Sequence, residues 1–365
     1  MTKPTQEISL TERLKAMIQA DGPIPISVFM QIALFDRKQG YYATRPGLGT
    51  DFTTAPEISQ VFGEMVGIWA AHEWQQLGCP SPFYLVEMGP GRGIMMSDIW
   101  RATSKVAGFH DAARPYLIEP SPALRKIQAQ NLTQIDTPIW VDSLQEIPIG
   151  PTLLLANEVL DCLPIRQYIR HDGAWCERKV GIDQTGAFQL GISGPIAKEH
   201  TSSSDIAHPD LTGVIQDVVE ISTALDAFID TIAERLKQGH SRALFIDYGP
   251  ANATPADTLR AYSNGDQIDP LTQIGEVDLT ADVDFSKVKQ FAVSKGLNVS
   301  GPTPQGWFLN ALGGVERVNA LIDQNPQKAD EIAQGAMRIM APDQMGERFQ
   351  AICLSSPKLP APIGF

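Results

Sequence analysis

Cysteine and histidine are scarce in this chain, and neither is arranged to hold anything. The four cysteines, Cys79, Cys162, Cys176 and Cys353, are scattered without a CxxC spacing, which argues against both a zinc site and a disulfide framework. They are expected as buried or half-buried thiols in a reducing compartment. The six histidines show no HExxH or other paired spacing, so no metal is expected. Positive charge is also short: 29 Lys and Arg against 42 Asp and Glu leave a formal net charge of −13. A nucleic-acid partner is disfavoured, because that affinity rests on cations neutralising phosphates. A cationic partner suits the field better. No long uncharged apolar run occurs, so no membrane insertion is expected. Met1 to Leu10 has neither an apolar signal core nor the Arg-rich character of a transit peptide. These absences together lead us to expect a soluble, cytoplasmic protein, with its oligomeric state left open.

What is present is the material of an ordered α/β protein. The 365 residues, 43% hydrophobic and 19% charged, suffice for a full core plus a second module. Ser9 and Glu12 have capping-box spacing, followed by Leu14, Met17 and Ile18 on one face. A second helix is expected from Ser27 to Phe35, and a third along Ile58, Val61, Phe62, Met65 and Trp69, stopping at Gly78. The order strand, glycine turn, helix, strand, helix then follows. Phe83 to Met88 runs into Gly89-Pro90-Gly91-Arg92-Gly93, and Tyr116 to Glu119 precedes the N-cap Ser121-Pro122. Short strands are expected at Ile139 to Asp142, Thr152 to Ala156, Ala243 to Tyr248, Leu297 to Ser300 and Phe349 to Leu354.

The expected fold class is therefore α/β, with a Rossmann-like, mostly parallel sheet. Domain limits are set at 1–80 for an N-terminal helical layer, 81–161 with 242–356 for the core, and 162–241 for an inserted substrate module. That insertion combines alternating stretches at Arg166 to Arg170 and Trp175 to Val180, a polar run at Thr201 to Asp205, and a helix from Thr223 to Leu236. From Gly249 to Asp284 regularity is poor, which suggests a loop or lid.

The chemistry gathers at the strand ends. Gly89, Gly91 and Gly93 allow positive φ and a close backbone approach at a helix N-terminus. Their spacing is GxGxG, not the GxGxxG that receives a pyrophosphate, and Glu87 just before would repel phosphates. A carboxylate there can instead neutralise the α-amino group of S-adenosylmethionine. The alternative is a tight turn with no ligand. Glu119 can accept from both ribose hydroxyls, or be a solvated charge at a strand end. Asp142, Ser143 and Leu144 lie where an adenine amino group could be read, although Asp142 also suits a helix cap. Asn157, Glu158 and Asp161 would line the transferred methyl, where a protonated guanidinium is the acceptor that paired carboxylates favour. The other reading makes Asn157 a cap and leaves Asp161 exposed. Two rival functions remain on the same fold: a dinucleotide-dependent oxidoreductase, and a non-catalytic assembly scaffold.

Gly40-Tyr41-Tyr42, the string from Thr50-Asp51-Phe52 through Thr53-Thr54-Ala55-Pro56-Glu57-Ile58-Ser59-Gln60, Phe62-Gly63-Glu64 and Trp69 are joined by four further segments. These are the E-x-G-P-G-R-G loop, N-E-x-x-D-x-L-P at Asn157 to Pro164, and Ile246-Asp247-Tyr248-Gly249 with Asp278 to Phe285. Over nearly its whole length the chain resembles the MidA family of class I methyltransferases, relatives of the mitochondrial complex I assembly factor that methylates arginine. The resemblance implies S-adenosyl-L-methionine as cofactor and a protein substrate, with a complex I subunit as the candidate. It assigns Glu87, Gly89, Gly91, Gly93 and Glu119 to the cofactor. Thr54, Pro56 and Glu57 would border the active site, with Asn157, Glu158, Asp161 and Tyr248 completing its wall. This chain departs from the family pattern at Asp282, where a His is usual, and at Tyr262-Ser263-Asn264, where basic residues are usual. Both departures bear on the acceptor rather than the cofactor.

Overall fold

The computed structural model describes residues 8–44, 53–196, 211, 214, 216–252, 254 and 256–365. Thr50, Asp51 and Phe52 of the specific string, and the polar run Thr201 to Asp205, lie outside the described residues. The chain forms two compact units. One comprises Met1–Arg45, Cys162–Ala224 and Thr254–Ala281; the other comprises Pro46–Asp161, Leu225–Ala253 and Asp282–Phe365. These limits depart from the expected ones: residues 46–80 join the core unit, and Thr254–Ala281, expected in the core, joins the smaller unit. The first helices belong with the inserted strands, and helix Leu225–Lys237 belongs with the core.

The larger unit is built on a seven-stranded sheet. Its order is Asn298–Pro304, Phe349–Ser355, Arg242–Tyr248, Thr152–Asn157, Phe83–Met88, Ala113–Ile118 and Ile139–Val141. The last five run parallel, whereas Phe349–Ser355 is antiparallel to both of its neighbours. The central strands are continuous apolar runs; Leu153, Leu154, Leu155, Leu244 and Ile246 are at most 2% exposed, as a parallel sheet shielded on both faces requires. Chain order reverses between Phe83–Met88 and Thr152–Asn157, and the strand ends beside such a switch point form the crevice where open α/β sheets bind ligands. The third expected helix is broken in two: Ala55–Ile58 stops at Ser59, whose extended backbone (φ −152°) and hydroxyl cap a new helix, Gln60–Gln76. Ser and Thr compete with helical bonding in this way. Helices Gln305–Ala311, Gly314–Gln324 and Ala329–Met340 had no counterpart in the sequence reading.

The smaller unit packs Leu10–Asp21 and Ile26–Phe35 with a five-stranded sheet. The capping box at Ser9 and Glu12 forms, with Leu14 and Ile18 buried, but Met17 is exposed and off that face. The stretch from Gly249 to Asp284 is more regular than expected. Arg260–Ser263, Asp266–Ile268 and Asp278–Thr280 make a small antiparallel sheet. Asn264 and Gly265, both at positive φ (51° and 86°), form the two-residue turn of its hairpin.

Candidate functional site

All the described site residues belong to the larger unit. Glu87 closes the Phe83–Met88 strand, and the turn after it holds Gly89, Gly91 and Gly93 at φ of 64°, 52° and 79°. Side chains rarely adopt those angles, so the loop needs its glycines. Gly93 caps helix Ile94–Thr103. Glu87 is 2% exposed, and among the described residues its Oε2 has no hydrogen-bond partner. Removal from water pushes its carboxyl up to about 8, with the Asp98 charge adding and the Met96 amide opposing.

Glu119 follows the Ala113–Ile118 strand, also buried. Its Oε1 accepts from the Ser121 amide at 2.8 Å and its Oε2 from Gln128 Nε2 at 3.1 Å. Burial raises its carboxyl, while Ser121, Gln128 and Arg125 oppose that rise. Asp142 is exposed and pairs with Arg125, whose Nε also donates to the Glu119 carbonyl at 2.6 Å. Asp142 N and Ser143 Oγ each donate to Glu146 Oε1 at 3.0 Å, and Leu144 is buried at the start of a short helical turn.

Asn157 ends the Thr152–Asn157 strand, and Glu158 turns the chain at φ 54°. That angle strains a non-glycine residue. Two bonds secure it: Glu158 N donates to the Ile246 carbonyl at 2.9 Å, and Glu158 Oε1 accepts from Asn157 Nδ2 at 2.8 Å. The Ala55 amide, 3.4 Å away, brings the Ala55–Ile58 helix onto the same carboxyl. Thr54 stands at that helix's N-cap without a side-chain cap bond, Pro56 is buried in its first turn, and Glu57 lies 3.5 Å from Arg92 of the glycine loop. Burial raises Glu57 against the pull of Arg92. Glu158 is pushed up to about 8 by loss of water, then by the Asp161 charge, with Glu57 adding less. Asp161 is 6% exposed, so it is not the surface charge of the bland alternative. Tyr248 ends Arg242–Tyr248, packs on Phe349 with ring centres 5.4 Å apart, and carries the Arg348 guanidinium over its face. Arg348 in turn forms a two-pronged pair with Asp282.

Asp247 was not singled out as a site residue, although it organises this corner. Its Oδ2 accepts from the amides of Val159, Leu160 and Asp161 at 3.0, 2.8 and 3.3 Å, and its Oδ1 from Tyr248 N at 2.9 Å. Burial raises its carboxyl well above the ordinary value, Asp161 and Glu158 adding, while the backbone donors oppose. Gln128 was missed as well; it is fully buried between the glycine loop and Glu119.

Residues 65–303 match the family model described as "Putative S-adenosyl-L-methionine-dependent methyltransferase". The chain belongs to that family. The enzyme is 34% identical to the Drosophila melanogaster "Protein arginine methyltransferase NDUFAF7 homolog, mitochondrial", over 95% of this chain and 84% of the relative. It is 32% identical to the Homo sapiens "Protein arginine methyltransferase NDUFAF7, mitochondrial", over 94% and 83%. A Burkholderia thailandensis crystal structure, described as a COG1565 superfamily member and likely methyl transferase bound to S-adenosyl-homocysteine, superimposes with a TM-score of 0.83. That match is 27% identical and covers 97% of this chain and 93% of the other.

The methyltransferase thus has the class I fold and uses S-adenosylmethionine. Its strand ends fit that cofactor: an unpartnered, buried carboxylate oxygen suits an ammonium group, and a second acid one strand away suits a sugar diol. The dinucleotide oxidoreductase is set aside by the family assignment. The cytoplasmic expectation is corrected, because these relatives are named as mitochondrial proteins. Scattered free thiols fit any reducing compartment, so cysteine usage could not have distinguished the two. Among the described residues, no helix is long and apolar enough to cross a membrane.

Proposed function

We propose that the enzyme methylates an arginine side chain of a protein, with a respiratory complex I subunit the first acceptor to try. The observation that carries this reading is the group of acids at the ends of Thr152–Asn157 and Arg242–Tyr248. Glu158 and Asp161 are buried, and the charges of Asp161 and, to a smaller extent, Glu57 bear on the Glu158 carboxyl. Such a group favours a cationic occupant, and a guanidinium remains charged at any physiological pH.

Bound S-adenosylmethionine supplies an electrophilic methyl on a sulfonium, ready for in-line displacement. In this reading Glu87 Oε2 takes the cofactor's ammonium, Glu119 its ribose hydroxyls, and the loop of Gly89, Gly91 and Gly93 its backbone-facing side. Asp142, Ser143 and Leu144 would border the adenine, and Thr54 and Pro56 would complete the cofactor's wall. Asn157 holds Glu158 through its amide nitrogen and offers its Oδ1, buried and without a hydrogen-bond partner, to an acceptor N–H. Glu158 and Asp161 orient the guanidinium and localise its charge on the nitrogens away from attack, Glu57 contributing to the field. As the acceptor nitrogen gains the methyl, its proton passes to Glu158 or Asp161. A carboxyl near 8 is matched to that transfer at neutral pH. Tyr248 walls the site.

The test is transfer of radiolabelled methyl from S-adenosylmethionine into a lysate of a strain lacking the enzyme, with mass spectrometry of the labelled band. We expect methylarginine in one protein. Label on lysine or glutamine would refute the arginine reading, and absence of label with the wild-type enzyme would favour the scaffold.

A further inference from the structure

We infer that Gln128 is a positioning residue that locks the Glu119 carboxylate to the glycine loop and so sets how strongly the cofactor's ribose is held. The inference rests on the reading of Glu119 as the ribose acceptor.

Gln128 lies on helix Pro122–Asn131 and is 0% exposed. Its amide has no freedom to flip. The Trp140 indole, which can only donate, meets Oε1 at 2.7 Å, so the nitrogen must point the other way. Both amide hydrogens are then used: Nε2 donates to the Gly91 carbonyl at 2.7 Å and to Glu119 Oε2 at 3.1 Å. Gly91 is a loop residue at positive φ, so the bond falls where the backbone most needs an anchor. The same helix face grips the loop twice more. Asn131 Nδ2 donates to the Arg92 carbonyl at 2.8 Å, and Leu132, four residues after Gln128, packs against the open side of Gly93, 3.4 Å from where a Cβ would stand.

The consequence falls on Glu119. Each of its oxygens receives one protein hydrogen bond, from Ser121 N and from Gln128, and an ionised carboxylate has about four acceptor sites in all. The remaining acceptor positions are thereby aimed, side by side, as a vicinal diol needs. A buried amide with all three bonds made costs little, whereas one left half-made is expensive. An apolar residue would fill the same space but would free the carboxylate to turn and the loop carbonyl to drift.

The experiment is calorimetric titration of the full-length enzyme with S-adenosylhomocysteine and with its 2′,3′-dideoxy analogue, for wild type, Gln128→Met, Trp140→Phe and Glu119→Gln. For wild type we expect a preference of at least about tenfold for the natural sugar, the worth of charge-assisted hydrogen bonds. Gln128→Met should weaken S-adenosylhomocysteine about tenfold and the analogue less than about twofold, collapsing the preference. KM for the cofactor should rise in step while kcat at saturation holds. Trp140→Phe removes only the donor that fixes the amide and should lose about threefold in the same direction; it carries the test if Gln128→Met does not fold. Equal losses for both ligands, or none, would overturn the inference. If Glu119→Gln keeps the full sugar preference, the ribose reading itself fails. If Glu119→Gln loses the preference and Gln128→Met keeps it, only the role of Gln128 fails.

Discussion

The buried acids of the smaller unit and those at the strand ends of the larger unit are treated in different ways. In the smaller unit Glu177, 2% exposed, meets the Arg166 guanidinium with two bonds of 2.6 and 2.7 Å. Glu220, 3% exposed, is held by Gln167 at 2.6 Å and by the Thr258 amide at 2.8 Å, with the Thr258 hydroxyl adding a further bond. In the larger unit a deep acid is likewise satisfied away from the strand ends: Glu73 pairs with Arg242, both fully buried, at 2.8 Å. At the strand ends the pattern changes. Among the described residues, Glu87 keeps one oxygen without a hydrogen-bond partner, and Glu158 meets an amide side chain and a long backbone contact. Burying an acid without a cation is costly, and the group responds by holding its proton. Acids paired within the chain serve the fold, whereas in the proposed reading these receive a cation that arrives from outside.

That contrast can be broken by substitution. The largest effect is expected from the double variant Glu158→Gln, Asp161→Asn: kcat should fall by about 10³-fold, the range for losing acid–base and electrostatic assistance together. Its affinity for S-adenosylhomocysteine, read by calorimetry, should stay near wild type; full methylation of the identified acceptor would show that these residues have been misassigned. Glu87→Gln should weaken S-adenosylhomocysteine about 100-fold, as when one partner of a buried charge pair is removed. The same change should raise the melting temperature of the ligand-free protein, because a poorly solvated acid is gone. A variant that binds worse and melts lower would point to a structural role instead.

Asp247→Asn tests the organising acid. An amide cannot accept from three backbone amides at one oxygen while its nitrogen faces a fourth, so chemical denaturation should show a loss of about 2–3 kcal/mol. kcat should drop by about tenfold as the Glu158 turn loosens, and unchanged stability would contradict the role of Asp247. Glu177→Gln should cost about 3 kcal/mol by stranding Arg166 in the smaller unit, yet leave cofactor affinity untouched. A changed affinity there would erase the distinction between the two groups of acids.

A further effect is one of pH. Glu87 and Glu158 both stand at about 8 in the folded chain against an ordinary 4.5. A raised acid favours the fold fully below 4.5, and that contribution is lost as pH climbs to about 8. The melting temperature of the ligand-free enzyme should therefore fall between those limits, and saturating S-adenosylmethionine should flatten the decline by offering the ionised form a partner. A curve that rises over the same interval would mean that these acids are already ionised.

Much of the sheet and its glycine-loop end could be read in advance, because the signals are local. A buried strand, three glycines and a following helix lie within residues 83–103, and Glu119 is marked by its place one strand later. Asp247 and Gln128 escaped because their partners are remote: the amides on Asp247 lie 86–88 residues away, and the Gly91 carbonyl on Gln128 lies 37 away. Nothing in the composition of either neighbourhood announces that meeting. The division into units was hidden for a similar reason. Leu10–Asp21 and Ile26–Phe35 find their apolar partners in Ile165, Val180 and Leu279, far along the chain. The hairpin at Asn264-Gly265 is a different case, since that pair is a strong local turn signal and was passed over amid the surrounding aspartates.

The most direct measurement is the proton balance of S-adenosylhomocysteine binding at pH 7, obtained by calorimetry in buffers of different ionisation enthalpy. The wild-type enzyme should release about one proton per ligand as the cofactor's ammonium forces Glu87 to ionise, and Glu87→Gln should release almost none. Binding without proton release in the wild type, or an identical release in both proteins, would contradict the claim that Glu87 waits in protonated form for the cofactor's positive charge.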